Sequence, residues 1–329
     1  MIQNFPKIIA VAAAVLWTGG VPTALAARPS GPLPEAMMVV EAHSGKVLIA
    51  RGSTERRAIA SLTKIATGVV ALDWAKATGA EPDEIVAVVP REAAALGGPN
   101  PMGLKPGDRM SLRDALYSAL LGSDNIAALA VADAVGRELI RRRGRGSDPV
   151  AVFVAEMNKL SKALGMRDTR FVNPHGLGVD VRKHRSSAAD LARLSIYAMR
   201  RPGFAFIVRQ KLRTVSVETL AGKRSFKVRN TNELLGEQGV VGIKTGYTAA
   251  AGQCLATCVE RDPLVTEGAD GKKNVTQRRL IVIVLGSKDR FGRTRELIRS
   301  GWGVYDRWIA AGSPIRDARR EILGVPEPQ

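Results

Sequence analysis

The sequence predicts an α+β domain in which an antiparallel sheet is flanked by helices and a helical lobe is inserted between distant strands. Two patterns carry this reading. Short apolar, strand-like segments occur near the start (36–50) and return from residue 212 onward, whereas 111–162 has helical spacing and little strand character. A last amphipathic stretch, from about Arg293 to Ala311, carries Leu297, Ile298, Trp302, Tyr305 and Ile309 on one side.

Taken in order, residues 1–26 have the form of an export signal. Lys7 precedes the apolar run Ile8 to Trp17, and small residues at Ala24 and Ala26 precede Ala27. Cleavage is expected after Ala26. Residues 27–33 then form a linker, 34–311 the folded domain with its helical lobe at about 85–200, and 312–329 a C-terminal tail. The apolar run is shorter than the roughly 20 residues of a membrane span, so the mature chain is expected to be soluble outside the cytoplasm.

Ala36 to Ala42 and Val47 to Ala50 flank the turn His43-Ser44-Gly45-Lys46 and read as a hairpin. From Ser61 to about Lys76, Leu62, Ile65, Ala66, Val69, Val70 and Leu72 recur at helical spacing. Ser187 with Asp190 three residues on has the form of a capping box before Leu191, Leu194 and Ile196. Strands are expected at Leu212–Thr219, Ser225–Val228, Val240–Val259 and Arg279–Leu285, with the polar stretch Asp262–Thr276 as a loop.

The 329 residues are 45% hydrophobic, as in an ordinary globular protein, and carry a formal charge of +18. The run Arg141-Arg142-Arg143-Gly144-Arg145 reads as a solvated loop or as a patch for weak association with an anionic membrane or wall surface. The export signal and the 5% aromatic content, with no aromatic residue interleaved in the run, argue against nucleic acid as a partner. The two cysteines, Cys254 and Cys258, would lie ~13 Å apart on one extended strand, beyond the reach of a disulfide. Two buried thiols are expected instead.

Three motifs occur in order: Ser61-Leu62-Thr63-Lys64, Ser123-Asp124-Asn125 and Lys244-Thr245-Gly246. The first alone is expected about once by chance in a chain of this length. All three together, each in a suitable context, are not. At i, i+3 on a helix, Ser61 and Lys64 share a face, so a neutral amine can take the hydroxyl proton. An unperturbed lysine pKa of ~10.4 has to fall for this, by burial or through a second cation, for which Lys244 is the candidate. The helix start supplies backbone N–H groups to a reacting carbonyl, and the N–H of Tyr247, beyond Gly246, is expected to complete an oxyanion hole. Lys244 and Thr245 are placed to bind a terminal carboxylate, Ser123 to relay a proton to a leaving amine, and Asn125 to hold a substrate amide. Asp124 reads as a helix-start residue, His175 as structural or as a support behind the site, and His184 as a surface residue.

At these residues the chain resembles the serine D-alanyl-D-alanine carboxypeptidases, the low-molecular-weight penicillin-binding proteins. The blocks 60–65, Phe171-Val172-Asn173-Pro174-His175-Gly176-Leu177, Asn230-Thr231-Asn232 and 242–252 carry the resemblance, which covers about residues 34–311. It implies a β-lactamase/penicillin-binding transpeptidase-like fold, an acyl-enzyme formed on the D-Ala-D-Ala ends of peptidoglycan stem peptides, covalent inhibition by β-lactams, and no metal or cofactor; with the export signal, the chain is expected in the periplasm or at the cell wall. Many members have Ser-Gly-Asn where this chain has Ser123-Asp124-Asn125. The chain looks like the short form without a C-terminal β-domain, a subgroup that includes endopeptidases cutting D-Ala cross-links. A β-lactamase is the weaker reading, because no Glu-x-x-Leu-Asn segment is present and Glu156-Met157-Asn158-Lys159-Leu160 has the wrong order. A noncatalytic cell-wall binding protein is disfavoured by the intact motif set.

Overall fold

The computed structural model describes residues 34–178, 180–267 and 273–327. The expected export signal and the whole linker lie outside the described residues. In chain order the elements are β1 (Ala36–Glu41), β2 (Val47–Arg51), α1 (Thr63–Thr78), β3 (Val86–Val88), β4 (Arg109–Ser111), α2 (Leu112–Leu120), α3 (Asn125–Arg143), α4 (Pro149–Ala163), α5 (Ala188–Met199), α6 (Pro202–Val208), β5 (Leu212–Thr219), β6 (Gly222–Arg229), β7 (Val240–Thr248), β8 (Gly252–Glu267), β9 (Lys273–Ser287), α7 (Arg290–Ala310) and α8 (Ala318–Glu321).

The main sheet has the order β2-β1-β9-β8-β7 with every pairing antiparallel. Its inner strands are covered on both faces, which is why β1 is buried at every position instead of alternating. Ala36, Met38 and Val40 face the helices, whereas Met37 and Val39 face Leu297, Ile298, Trp302 and Tyr305 of α7. Burying each such side chain stabilises the fold by about 1.5–3 kcal/mol. Helix α1 runs through the middle of the helical layer, with Ile65, Ala66, Val69 and Ala71 inaccessible to solvent. Gly68 lets Phe204 and Leu120 close in, since a methyl group there would lie 3.0 Å from Phe204 and 3.1 Å from Leu120.

Local chemistry accounts for the element boundaries. Glu41 accepts hydrogen bonds from the backbone of His43 at 2.8 Å and Ser44 at 2.6 Å, and Gly45 takes φ +77°, which closes the first hairpin. Ser187 caps α5 by accepting from the Asp190 N–H at 3.3 Å. The reciprocal half of the expected capping box is absent. Asp190 turns instead to the Asp168 N–H and the Thr169 hydroxyl, both at 2.8 Å.

Several expectations are corrected. The stretch at about 85–200 is not purely helical, because β3 and β4 join β5 and β6 in a second sheet of order β3-β4-β5-β6. Each is three residues long, too short for alternation to register in a sequence. The stretch 262–276 is largely ladder rather than loop: β8 and β9 pair out to Glu267 and Lys273. Val265 and Val275 are exposed there, so this end of the ribbon rises beyond the core and loses the apolar pattern that marks a strand.

Residues 312–327 are not a loose tail. Leu323 is buried in the core, its N–H donates to the Gly45 carbonyl at 2.8 Å, and Glu321 pairs with Lys46. The arginine run is the last turn of α3, closed by Gly144 at φ +64°. Arg141 pairs with Glu138 and Arg143 with Glu156, and all three arginines of the turn oppose the negative end of the helix dipole. Cys254 and Cys258 lie together on β8, both fully buried and unbridged.

Candidate active site

Ser61 sits in a single 3-10 turn, Ala60–Leu62, that feeds directly into α1. Ala60 has φ +47°, a left-handed conformation costing about 1–2 kcal/mol in an L-residue. Such strain persists only where the surroundings impose it. Two glycines meet this turn. A methyl group on Gly176, at φ +83°, would lie 2.0 Å from the Ala60 carbonyl oxygen. One on Gly246 would lie 3.1 Å from the Ile59 carbonyl oxygen and 3.3 Å from the Ser61 nitrogen. Glycine at both places lets the 173–177 turn and strand β7 press against the segment that carries Ser61.

The three motifs converge. Lys64, on the first turn of α1, donates from Nζ to Ser61 Oγ at 2.9 Å, to Asn125 Oδ1 at 2.7 Å and to the His175 carbonyl at 3.1 Å. The amine has no exposure, and burial pulls its pKa from 10.5 down to about 7, against the attraction of Asp124. Of the two means expected, burial is therefore the main cause, and the second cation at Lys244 adds no comparable lowering. Lys244 is itself held well below the ordinary lysine range, first by burial and then by the charges of Lys64 and Arg290. An amine poised near neutrality beside a hydroxyl can accept its proton.

Ser123 lies just before α3, at φ +62°. Asp124 caps α3 by accepting from Ile126 N–H at 2.9 Å and Ala127 N–H at 3.0 Å, and burial raises its carboxyl pKa. Asn125 is buried with its oxygen on Lys64 and its amide nitrogen donating to Gly97 at 3.1 Å. Both ends of its amide are thus engaged within the site. On β7, Lys244 Nζ reaches the Thr245 carbonyl at 3.2 Å, Thr245 Oγ1 lies 2.7 Å from Thr231 Oγ1, and the Tyr247 side chain is exposed. Among the described residues, no group of three or more His, Cys, Asp or Glu side chains is placed to hold a metal ion.

Three functional-site neighbours were not legible as such. Arg290, the first residue of α7, donates to the Gly246 carbonyl at 3.1 Å, which brings a third cation to the KTG strand. Thr231 braces Thr245, a contact no local pattern signals. His184 is not at the surface: it is 2% exposed and its Nε2 lies 2.8 Å from Thr63 Oγ1. Its charged neighbours Lys183 and Arg185 give it the local pattern of a surface residue. His175 is structural as expected, with Nδ1 accepting from the Leu177 N–H at 3.1 Å and its pKa lowered to about 3, chiefly by burial.

The profile of a family described as D-alanyl-D-alanine carboxypeptidase matches residues 27–266, most of the chain. This chain belongs to that family. Among curated relatives of this D-alanyl-D-alanine carboxypeptidase family member, the Salmonella typhimurium carboxypeptidase DacD is 34% identical over 279 residues, covering 82% of this chain and 62% of the relative. The Pseudomonas aeruginosa D-alanyl-D-alanine endopeptidase is 32% identical over 71% of each chain. The chain thus spans about 62% of the length of DacD and similar carboxypeptidases. Among solved structures, a Streptomyces DD-transpeptidase superposes with TM-score 0.66 at 26% identity, covering 81% of this chain and 96% of that one. A cefotaxime-bound penicillin-binding protein of Listeria monocytogenes gives 0.61 at 29% identity, covering 81% and 96%. The expected transpeptidase-like fold is the one present.

Proposed function

We propose that this family member is a serine D-Ala-D-Ala carboxypeptidase that trims peptidoglycan stem pentapeptides through an acyl-enzyme on Ser61. The observation that carries this reading is the 2.9 Å contact between Ser61 Oγ and a buried Lys64 amine whose pKa is about 7. Lys64 takes the Ser61 proton as Oγ attacks the carbonyl of the penultimate D-Ala. The N–H groups of Ser61 and Tyr247 hold the oxyanion. The C–N bond then breaks, Ser123 relays a proton to the departing D-Ala amine, and water hydrolyses the ester, returning the proton to Ser61. Lys244 and Thr245 bind the terminal carboxylate, Gly246 lets the substrate backbone approach β7, and Asn125 orients Lys64 and steers the peptide amide. A β-lactam entering the same site acylates Ser61 and is released slowly. Glu156, the nearest sequence match to a deacylating carboxylate, is tied to Arg143 and Lys159, both at 2.8 Å. Residues 1–26 serve as the export signal, which places the enzyme in the periplasm or at the wall.

A second reading, a DD-endopeptidase cutting D-Ala cross-links, is favoured by the fuller coverage of relatives so named. Mass spectrometry of products separates the two. Residues 27–329 and a Ser61→Ala control are mixed with monomeric pentapeptide and cross-linked dimer muropeptides. Loss of one D-Ala from the monomer, absent in the control, establishes the carboxypeptidase. Dimer cleavage alone establishes the endopeptidase, and activity on neither removes both.

A further inference from the structure

We infer that His184 is a positioning residue for the reaction at Ser61, acting through the Thr63 hydroxyl on the left-handed Ala60 turn. This inference rests on Ser61 being the nucleophile.

The hydrogen bonds run in one direction. The Val172 N–H donates to His184 Nδ1 at 3.2 Å, so that nitrogen carries no proton. The neutral ring therefore holds its proton on Nε2, which faces Thr63 Oγ1 at 2.8 Å. Thr63 Oγ1 in turn donates to the Ala60 carbonyl at 2.8 Å, so its hydroxyl oxygen is free to accept from His184. The relay from Val172 through His184 and Thr63 thus ends on the residue immediately before Ser61. Burial lowers the His184 pKa to about 4, which keeps the ring neutral and the relay intact at neutral pH.

His184 is also anchored well enough to hold a geometry. The chain on its C-terminal side is bridged by Arg185 to Arg170 and by Ser186 to Arg57, and its ring stands edge-on to Phe171, with centroids 5.8 Å apart. It lines a cavity of about 220 Å³ with Ala60, Gly176 and Thr248, so the ring closes the back of the turn instead of facing bulk water. Lys64 fixes the Ser61 hydroxyl from one side. The His184–Thr63 pair fixes the backbone of the same turn from the other. A small loss of alignment between Oγ, the amine and the oxyanion donors slows attack without weakening the binding of the acylating ligand.

The test compares residues 27–329 with His184→Gln, His184→Asn, Thr63→Val and the Asn/Val double variant. Acylation by a fluorescent penicillin is followed at saturation and normalised to titrated active sites. Gln can reach Thr63 with a donor, whereas Asn can replace only the acceptor facing Val172. The expected result is a first-order acylation constant about tenfold lower in His184→Asn and Thr63→Val, near the parent value in His184→Gln, and no lower in the double variant than in either single one, with half-saturating concentrations unchanged. Nitrogen-15 spectra of the parent should show the Nε2-protonated tautomer at pH 7. Equal rates per folded site in all variants, whatever their melting temperatures, would reduce His184 to a packing residue. A parent chain that is not acylated at Ser61 overturns the function reading and this inference with it.

Discussion

Lys64 Nζ donates to Asn125 Oδ1 at 2.7 Å across 61 residues of sequence, joining the start of α1 to the start of α3. The amine is thereby aimed at Ser61 by a neutral acceptor, which orients it without adding a second full charge beside it. Asp124, next in the chain, caps its own helix. Replacing Asn125 with Ala removes the acceptor and the orientation, and acylation is expected to slow by about 100-fold. Stopped-flow acylation with a reporter β-lactam checks this.

The pH dependence should follow Lys64. Its amine must be neutral to accept the Ser61 proton, and its pKa is about 7. The acylation rate is expected to rise with pH through a midpoint near 7 and level off above it. A midpoint near the ordinary lysine value of 10.5 would rule out this buried base.

Stability carries the same signature with a definite sign. Between about 7 and 10.5 the unfolded chain keeps a proton on Lys64 that the folded chain lacks. Unfolding free energy contributed by this group therefore rises with pH across that window, by at most about 1.4 kcal/mol per pH unit. Urea denaturation of the parent and Lys64→Met from pH 6 to 10 should show the parent gaining on the variant as pH rises.

Gly176→Ala is expected to damage both fold and site. The added methyl would meet the Ala60 carbonyl oxygen at 2.0 Å, in a backbone conformation of φ +83° that already disfavours side chains. A loss of at least about 3 kcal/mol in urea denaturation is the anticipated cost. Acylation per folded site should fall as well, because the displaced atom belongs to the turn before Ser61.

The thiols should be silent until the chain unfolds. Burial pushes Cys254 up to about 11 and Cys258 up to about 12, and no bridge joins them. A chromogenic disulfide reagent should release no chromophore from the folded protein and two equivalents in denaturant.

Ending the chain after Ala311 is expected to lower stability by about 1–3 kcal/mol, since it removes the buried Leu323 and its contacts with the first hairpin turn. Thermal unfolding of the shortened chain provides the comparison. An unchanged transition would mean that the segment rests on the domain without supporting it.

The sequence by itself determined what depends on near neighbours and on residue type. The Ser61–Lys64 pair is set by helical spacing, the Ser187 and Asp124 caps by short polar side chains at helix starts, the first hairpin by Gly45, and the separation of the thiols by strand rise. The tertiary structure decided everything that depends on which distant segments meet. Asn125 turns to Lys64 because α1 and α3 cross there, and burial rather than Lys244 lowers the amine because α1 is enclosed by the helical layer. His184 lies inside despite its charged neighbours because segment 184–186 bridges back to Arg170 and Arg57. Strands β3 and β4 exist because β5 gives them a partner. Proton affinity and hydrogen bonds between distant segments are properties of the assembled neighbourhood, and no local pattern encodes them.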